Sequence, residues 1–275
     1  MNRLCRLARV SRSGYYEWLV RPESRRARTN RSLLVLIKSS FQESRRTYGA
    51  VRIHCDLLDW GERCGKNRVA RLMQKNDLKS IYRKKYRPQT TQSDHRLTVV
   101  ENIVNQDFST THPNQKWGAD ISYIPTAEGW LYVAVVLDFY SRKVIGMATG
   151  NSLHTDLCCR ALRQACLFRE PPAEIIHHSD RGVQYAGEEY RALLERYHFQ
   201  QSMSRKGNCY DNAMVESFFG TLKIECTHQN HYKTREEARQ DIENYIYTFY
   251  NLKRRHSSLD YRSPNDYEFI NRLAA

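Results

Sequence analysis

The sequence lacks several features that would assign it to common classes of protein. Its eight cysteines include no C-x-x-C pair, so the usual spacing of zinc ligands is missing. The longest strongly apolar run, Trp130 to Leu137, is far too short to span a bilayer, and we expect no membrane partner. The basic first residues contain no apolar segment of a secretion signal. We therefore expect a cytoplasmic protein with reduced, mostly buried thiols.

Positive charge is concentrated in the first part of the chain. The 275 residues carry a net charge of +14, and their number suits one large domain or two smaller ones. Residues 1–100 hold 24 lysines and arginines against 8 acids, a balance of +16, whereas residues 101–275 have a balance of −2. This asymmetry is typical of a region that binds a polyanion. A basic surface that only improves solubility is the alternative.

Three acids stand in distinctive sequence contexts. Asp120 lies in Q-K-W-G-A-D-I-S-Y-I, Asp180 in I-I-H-H-S-D-R-G-V-Q-Y and Glu216 in C-Y-D-N-A-M-V-E-S-F-F, with 35 residues between the second and the third. Three carboxylates at one point can bind two divalent cations that clamp the oxygens of an in-line phosphoryl transfer. Hard carboxylate oxygens favour Mg²⁺, with Mn²⁺ as a substitute. Taken singly, each acid has a simpler explanation as a turn, cap or solvated residue.

The pattern from about residue 115 onward predicts an α/β fold. Three β-rich runs separated by turn residues predict an antiparallel meander, which a helix, a strand, a helix and a strand then follow. This order resembles the ribonuclease-H-like fold, which implies that Asp120 lies on the central first strand and that Asp180 follows the adjacent fourth strand, so that both reach one edge of the sheet. The predicted strands are Ala119–Ile124, Trp130–Phe139, Lys143–Thr149, Glu174–His178 and Phe199–Met203, and the helices between them are Leu153–Phe168 and Gly187–Tyr197.

Glu216 is expected on a further helix that begins near Asp211. Asp211 or Asn212 can cap its first free N–H groups. Lys223 follows Glu216 by seven residues, and two helical turns take about 7.2 residues, so both side chains share one face. Gly220 leaves that face open for a DNA strand.

The N-terminal residues predict a small helical region after a polar and aromatic lead. Helices are expected over Arg25–Glu43, Gly49–Trp60 and Lys66–Lys75. The run Y-G-A-V-R-I-H…K-N-R-V-A-R-L-M resembles a helix-turn-helix segment, which implies that side chains on the outer face of the last helix could contact a groove or the DNA backbone. A basic helical hairpin that reads no sequence is the alternative, since phosphate contacts alone would explain the arginines. The residues concerned are Lys66, Asn67, Arg68 and Arg71.

Three motifs are specific enough to indicate a family. H-S-D-R-G-x-Q-Y, S-R-K-G-N-C-Y-D-N-A and E-S-F-F-G-T-L-K resemble the second-frame (OrfB) product of insertion-sequence family three, a group of DDE transposases related to retroviral integrases. The resemblance covers nearly the whole chain. It implies a ribonuclease-H-like catalytic core, a mixed five-stranded sheet with helices, preceded by a small all-α helix-turn-helix-like region. The implied boundaries are 1–78 for the DNA-binding region, 79–110 for a basic linker and 111–275 for the core with its tail.

The resemblance also implies the chemistry and the partners. Asp120, Asp180 and Glu216 would be both catalytic residues and metal ligands for two Mg²⁺ ions, in a transposase that cleaves and transfers DNA strands. Expected partners are double-stranded DNA of the element ends and target, further copies of the chain on that DNA, and a first-frame (OrfA) protein or fusion. The protein would be nucleoid-associated. A catalytically silent DNA-binding regulator and a ribonuclease-H-like nuclease that only hydrolyses are the alternatives.

Further DNA contacts are expected around this core. The candidates are Arg205 and Lys206 in a glycine-containing loop, Lys223, and Arg254 and Arg255 in the tail, where a solvated charge run explains the last two nearly as well. Core packing is expected of Trp117 and Tyr123 on either side of Asp120. His177 is expected to point into the sheet, while His178 either orients Asp180 or contacts a phosphate.

Overall fold

The computed structural model describes residues 2–82, 100–205, 208 and 210–274 of the chain. The chain forms two compact units, Met1–Ser80 and Ile81–Ala275. Residues 83–99 of the predicted linker, and Lys206 among the predicted DNA contacts, lie outside the described residues. Within the described ranges, no helix is both long and apolar enough to cross a membrane.

The N-terminal unit is built from helices. They are α1 (Asn2–Leu7), α2 (Arg12–Val20), α3 (Arg25–Glu43), α4 (Ala50–Asp59) and α5 (Lys66–Lys75). Apolar side chains spaced three or four residues apart on the last three helices are buried against one another, as their period predicts. These side chains are Leu33, Ile37, Phe41, Ile53, Leu57, Val69 and Met73.

A mixed five-stranded sheet forms the centre of the second unit and confirms the predicted α/β fold. Its strands are β1 (Lys116–Thr126), β2 (Gly129–Asp138), β3 (Val144–Gly150), β4 (Ile176–Ser179) and β5 (Gln200–Met203). Their order is β3-β2-β1-β4-β5, with β1, β2 and β3 antiparallel and β1, β4 and β5 parallel. The first strand is therefore central.

Helices pack against this sheet. They are α6 (Thr155–Arg169), α7 (Val183–Ala186), α8 (Glu188–Arg196) and α9 (Ala213–Glu225). The backbone of α6 comes so close to β3 that a Cβ atom on Gly146 would overlap the carbonyl oxygen of Ala161 and lie 2.8 Å from Cβ of Ala165. This close approach helps to bury the apolar faces of α6 and of the sheet, including Trp117, Val136 and Leu162.

The C-terminal residues add helical elements that the sequence patterns did not predict. They are α10 (Arg235–Asn244), a π-helical segment (Tyr245–Tyr250) and α11 (Pro264–Ala274). Glu268 of α11 accepts hydrogen bonds from Arg169 and Ser141 and lies 3.6 Å from Lys143 Nζ. This largely buried ion-pair cluster attaches α11 to the end of α6 and to the β2–β3 turn.

Candidate active site

The two predicted catalytic aspartates lie at one edge of the sheet. The parallel strands β1 and β4 pair Ala119 with Ser179, so Asp120 and Asp180 are the next residues along each strand. Backbone N–H groups hold one oxygen of each carboxylate: Ile121 N donates to Asp120 Oδ1 at 2.8 Å, and Gly182 N donates to Asp180 Oδ1 at 2.9 Å. Both acids retain partial solvent access.

Helix α9 brings Glu216 to the same edge. A Cβ atom on Gly118 would lie 2.7 Å from Cγ2 of Val215, so only glycine lets the helix lie this close to β1. Asn212 connects the two elements: its Nδ2 donates to Ala119 O at 3.4 Å, and its own carbonyl accepts from Glu216 N at 3.1 Å. The three acids thus come from three elements that pack together.

The expected side-chain cap of α9 was wrong. Asn212 occupies the N-cap position without a capping hydrogen bond from its side chain. The carboxylate of Asp211 instead accepts hydrogen bonds from the backbone and guanidinium of Arg205 and from Gln106. These bonds, above all those from Arg205, lower the pKa of Asp211, so its carboxylate is ionised at neutral pH. The ionised carboxylate links Arg205 to the residue just before the N-cap of α9.

The electrostatics of the site fit a cation. The low-dielectric surroundings raise the pKa of Asp120 well above its ordinary value, and the charges of Asp180 and Glu216 add to this, whereas Ile121 N–H and Lys223 oppose it. Burial and then Asp180 also raise the pKa of Glu216. The one nearby ammonium group does not balance the negative charge of three carboxylates that repel one another. A bound cation would balance it, and hard oxygen donors suit Mg²⁺ or Mn²⁺.

The carboxylates do not form a preformed metal-binding site. Among the described residues, no group of three or more His, Cys, Asp or Glu side chains is close enough together to hold a metal ion. Asp120 and Asp180 each turn one oxygen toward a backbone N–H group, and Glu216 is exposed. Side-chain rotation would therefore have to accompany ion binding.

Lys223 lies on the side of α9 that faces the acids. Its ammonium group is near enough to Asp120 to lower the pKa of that carboxyl, and Nζ lies 5.3 Å from the ring centroid of Tyr123. A Cβ atom on Gly220 would have no neighbour within 4 Å, so the surface beside Lys223 is open. This arrangement agrees with the shared helix face inferred for Glu216 and Lys223.

The two histidines before Asp180 are buried. Ser202 Oγ accepts from the backbone N–H groups of residues 103–104, so its own proton is directed to His178 Nδ1 at 2.9 Å. The ring then carries its proton on Nε2, which donates to Ser204 Oγ at 3.1 Å, and that hydroxyl donates to Ser179 O. Burial lowers the pKa of His178 to about 4 despite the opposing charge of Asp211, so the ring is neutral at pH 7. This chain of hydrogen bonds fixes the end of β4 and excludes phosphate contact by His178.

His177 is also fully buried and lies within hydrogen-bonding distance of the Tyr190 hydroxyl, its Nε2 being 3.1 Å away. Burial lowers its pKa to about 3, so it is neutral as well. The expectation that His177 points into the protein interior is confirmed.

The basic residues of the N-terminal unit surround an open cleft. Lys66, Asn67 and Arg71 are exposed on α5, while Arg68 Nε donates to Asn30 Oδ1 at 2.8 Å. The cleft has a volume of about 540 Å³, and two of its arginines, Arg25 and Arg26, were not among the predicted DNA contacts although they lie in the run R-R-A-R. The residues that line it are Arg25, Arg26, Thr29 and Arg68.

The tail arginines are not equivalent. Arg254 is 4% exposed and forms a bidentate ion pair with Glu225, with bonds of 2.8 and 2.7 Å, and also donates to the Tyr82 hydroxyl. The expectation that Arg254 contacts DNA is therefore corrected, because its guanidinium is buried in the protein. Arg255 is half-buried and donates to Tyr261 O at 2.9 Å, and Arg205 is half-exposed beside Asp211.

Comparisons with known proteins identify the families that the chain matches. The Integrase core domain family matches residues 110–209 and, through a second model, residues 197–264, and the HTH-like domain family matches residues 28–86. The insertion element IS600 uncharacterized 31 kDa protein of Shigella sonnei is 43% identical over 261 residues, 95% of this chain and 96% of that protein. Transposase InsF for insertion sequence IS3A of Escherichia coli (strain K12) is 41% identical over 267 residues, 96% of this chain and 92% of that protein.

Among solved structures, the catalytic core domain of HTLV-2 integrase in complex with magnesium (trimeric form) aligns with a TM-score of 0.43 and 16% identity. The alignment covers 57% of this chain and 97% of that one. The family follows from the relatives that are 41% and 43% identical over nearly the full length. The chain belongs to the IS3 family of insertion-sequence transposases, enzymes that transfer polynucleotide strands.

Proposed function

We propose that this transposase cleaves and joins DNA by metal-dependent phosphoryl transfer at Asp120, Asp180 and Glu216. The observation that carries the proposal is the convergence of β1, the end of β4 and α9, which carry these acids, on one edge of the sheet. Burial there, and then the charges of the neighbouring acids, raise the pKa values of Asp120 and Glu216. The acids would hold two Mg²⁺ or Mn²⁺ ions, which when bound polarise the phosphate and activate the attacking oxygen.

The reaction would run in two transfers of the same kind. In the first, water attacks a phosphorus atom at the element end, and the bond from phosphorus to the 3′ oxygen breaks, which frees a 3′-OH. In the second, that 3′-OH attacks another phosphodiester and displaces its 3′ oxygen. Lys223 would contact a phosphate of the bound strand and hold it beside the acids. No covalent bond between protein and DNA is needed.

The N-terminal residues would supply most of the binding affinity for duplex DNA. In this proposal residues 1–78 bind DNA through the basic cleft and the exposed face of α5, residues 79–110 form the linker, and residues 111–275 carry the chemistry. Arg205, Lys206 and Arg255 would add contacts near the core. Further copies of the chain and a first-frame segment, as partner or fusion, would assemble on the element ends.

A strand-joining assay tests this proposal. The full chain, with and without a first-frame fusion, is incubated with Mg²⁺, intact element ends and pre-cut ends that carry a 3′-OH. We expect nicked intact ends and joined products from the pre-cut ends, and we expect Asp120→Asn, Asp180→Asn and Glu216→Gln to abolish both while DNA binding stays near the wild-type level. Nicking without joining would identify a nuclease. Binding without either product, in both formats, would identify a silent regulator.

A further inference from the structure

Two exposed aromatic side chains lie near the candidate active site. Tyr123 was expected to pack in the core, but 37% of it is exposed, as is 48% of Trp130. They lie on β1 and β2 close to the turn that joins these strands, and their ring centroids are 5.0 Å apart at an interplanar angle of 83°. An edge-to-face pair leaves ring surface exposed to solvent, where a further aromatic group could stack.

Lys223 connects this pair with the acids. Its ammonium group lies over the Tyr123 ring at 5.3 Å from the centroid, a cation–π distance, and it is also within electrostatic range of Asp120. Lys223 is therefore the group that is close both to the aromatic pair and to Asp120. A strand whose phosphate lies at Lys223 would have its neighbouring base beside Tyr123 and Trp130.

We propose that Tyr123, Trp130 and Lys223 form a binding site for an unpaired nucleobase at the end of the DNA, with the rings stacking on the base and the ammonium contacting its phosphate. A base inside a duplex is covered on both faces by its neighbours, whereas a base that has left the stack offers its faces to the rings. The site would hold the end of the strand open next to Asp120, Asp180 and Glu216. This inference rests on the proposed DNA-joining function.

The chain contains a matched control for this site. Phe168 is 61% exposed, and Lys143 Nζ lies 5.2 Å from its ring centroid, so the composition and geometry are similar. There, however, the lysine lies 3.6 Å from Glu268 Oε2, which already balances its charge. Phe168→Leu should therefore leave DNA binding and joining unchanged.

Binding measurements on the full chain test the site directly. Two probes are compared, a short blunt duplex and the same duplex with unpaired terminal nucleotides, and affinity is followed by fluorescence anisotropy. We expect the wild type to bind the unpaired end about tenfold more tightly, since stacking of one base on an aromatic ring has that magnitude. Tyr123→Leu and Trp130→Leu should each lose most of this preference, whereas Trp130→Phe should keep most of it. Equal affinity of the wild type for the two probes would overturn the inference.

Cross-linking locates the contact without requiring activity. With 5-iododeoxyuridine at the unpaired terminal position, near-ultraviolet irradiation should link the DNA to a peptide that contains Tyr123 or Trp130, and not to the Phe168 peptide. Cross-links only to peptides of residues 1–80 would contradict the site. Normal joining of fully paired ends by Trp130→Leu, together with a lost preference for unpaired ends, would disprove the opening role. Absence of joining by the wild type would instead refute the proposed function.

Discussion

At the scale of single residues, the pKa values of Glu225 and Asp120 in the second unit are shifted in opposite directions. Burial raises the pKa of Glu225, but Arg254 and the hydrogen bonds from the Arg254, Tyr82 and Tyr245 side chains outweigh it and hold the pKa below its ordinary value. The group therefore contributes stability that is lost only as the pH falls through that lowered pKa. Burial raises the pKa of Asp120 as well, but there the charges of Asp180 and Glu216 add to the effect of burial. A paired acid stabilises the fold, whereas an acid among other acids destabilises it at neutral pH.

This contrast gives a prediction for Asp120→Asn. A carboxyl with a raised folded-state pKa costs the native state stability once the pH exceeds its unfolded-state pKa, and each unit of the shift costs about 1.4 kcal/mol. In metal-free buffer at pH 7 the variant should therefore melt at a higher temperature than the wild type, and the gap should close at a pH below the ordinary pKa of an aspartate. Thermal melts across pH measure this. The matched control is Asp260→Asn, which makes the same chemical change at the end of a short 3-10 helix, far along the chain from the three acids.

Added Mg²⁺ should reverse the order of the two melting temperatures. A cation that binds only the folded state stabilises it by mass action, and the wild type has the full set of carboxylates to bind it. A variant that is less stable than the wild type in metal-free buffer at pH 7 would show that Asp120 is not held at a raised pKa by its neighbours.

At the scale of elements, a regular repeat of apolar residues was enough to predict a helix or strand. Elements whose formation depends on tertiary contacts could not be predicted in this way. The period of apolar residues gave α3 and α5 with the observed bounds, and β1 to β3 within a few residues. Helix α2 has no buried residue, so no apolar stripe marks it. The elements after Glu225 are held by partners that are distant in sequence: Glu268 of α11 accepts from Arg169, and Tyr245 of the π-helical segment donates to Glu225.

The candidate site likewise has features that could be predicted from the sequence and features that could not. The three acids could be placed together from their strand and helix positions, because the ends of adjacent parallel strands meet at one edge. Burial of Arg254 and the position of Tyr123 beneath Lys223 could not be predicted, since each depends on a partner far away in sequence, Glu225 for Arg254 and Lys223 for Tyr123. The sequence of an arginine run does not show whether one of its side chains pairs with a buried acid in the folded protein.

Close approach of α6 to β3 gives a prediction at this scale. Gly146→Ala would force a methyl group against the backbone of α6, and overpacking of this kind costs about 1–3 kcal/mol. The matched control is Gly220→Ala, where a methyl group meets open space in the middle of α9 and should stabilise the helix by about 1 kcal/mol. Urea unfolding of both variants measures the two free energies. A neutral Gly146→Ala would mean that α6 can move away from the sheet without loss of packing.

At the scale of the whole molecule, charge is divided between the two parts of the chain. Residues 1–100 carry +16 and residues 101–275 carry −2, so the attraction to a polyanion belongs to the first part, while the second part holds the acids of the candidate site. A site rich in carboxylates repels DNA until cations occupy it. Strong DNA binding by a separate basic unit would therefore bring the strand to acids that could not attract it themselves.

Salt dependence of DNA binding tests this division in the full chain. Each phosphate contact contributes about −0.9 to the slope of log K against log salt concentration for duplex DNA. Replacing Lys66, Arg68 and Arg71 together by glutamine should thus make the slope shallower by about three, if each contacts a phosphate. The matched control replaces three exposed arginines of the second unit that lie on α6 and α8, which are Arg160, Arg163 and Arg196. It removes the same charge but no proposed contact, so its slope should stay near that of the wild type. Equal changes in the two triple variants, measured by fluorescence anisotropy, would mean that net charge alone governs binding, and that α5 makes no localised contact with the DNA backbone.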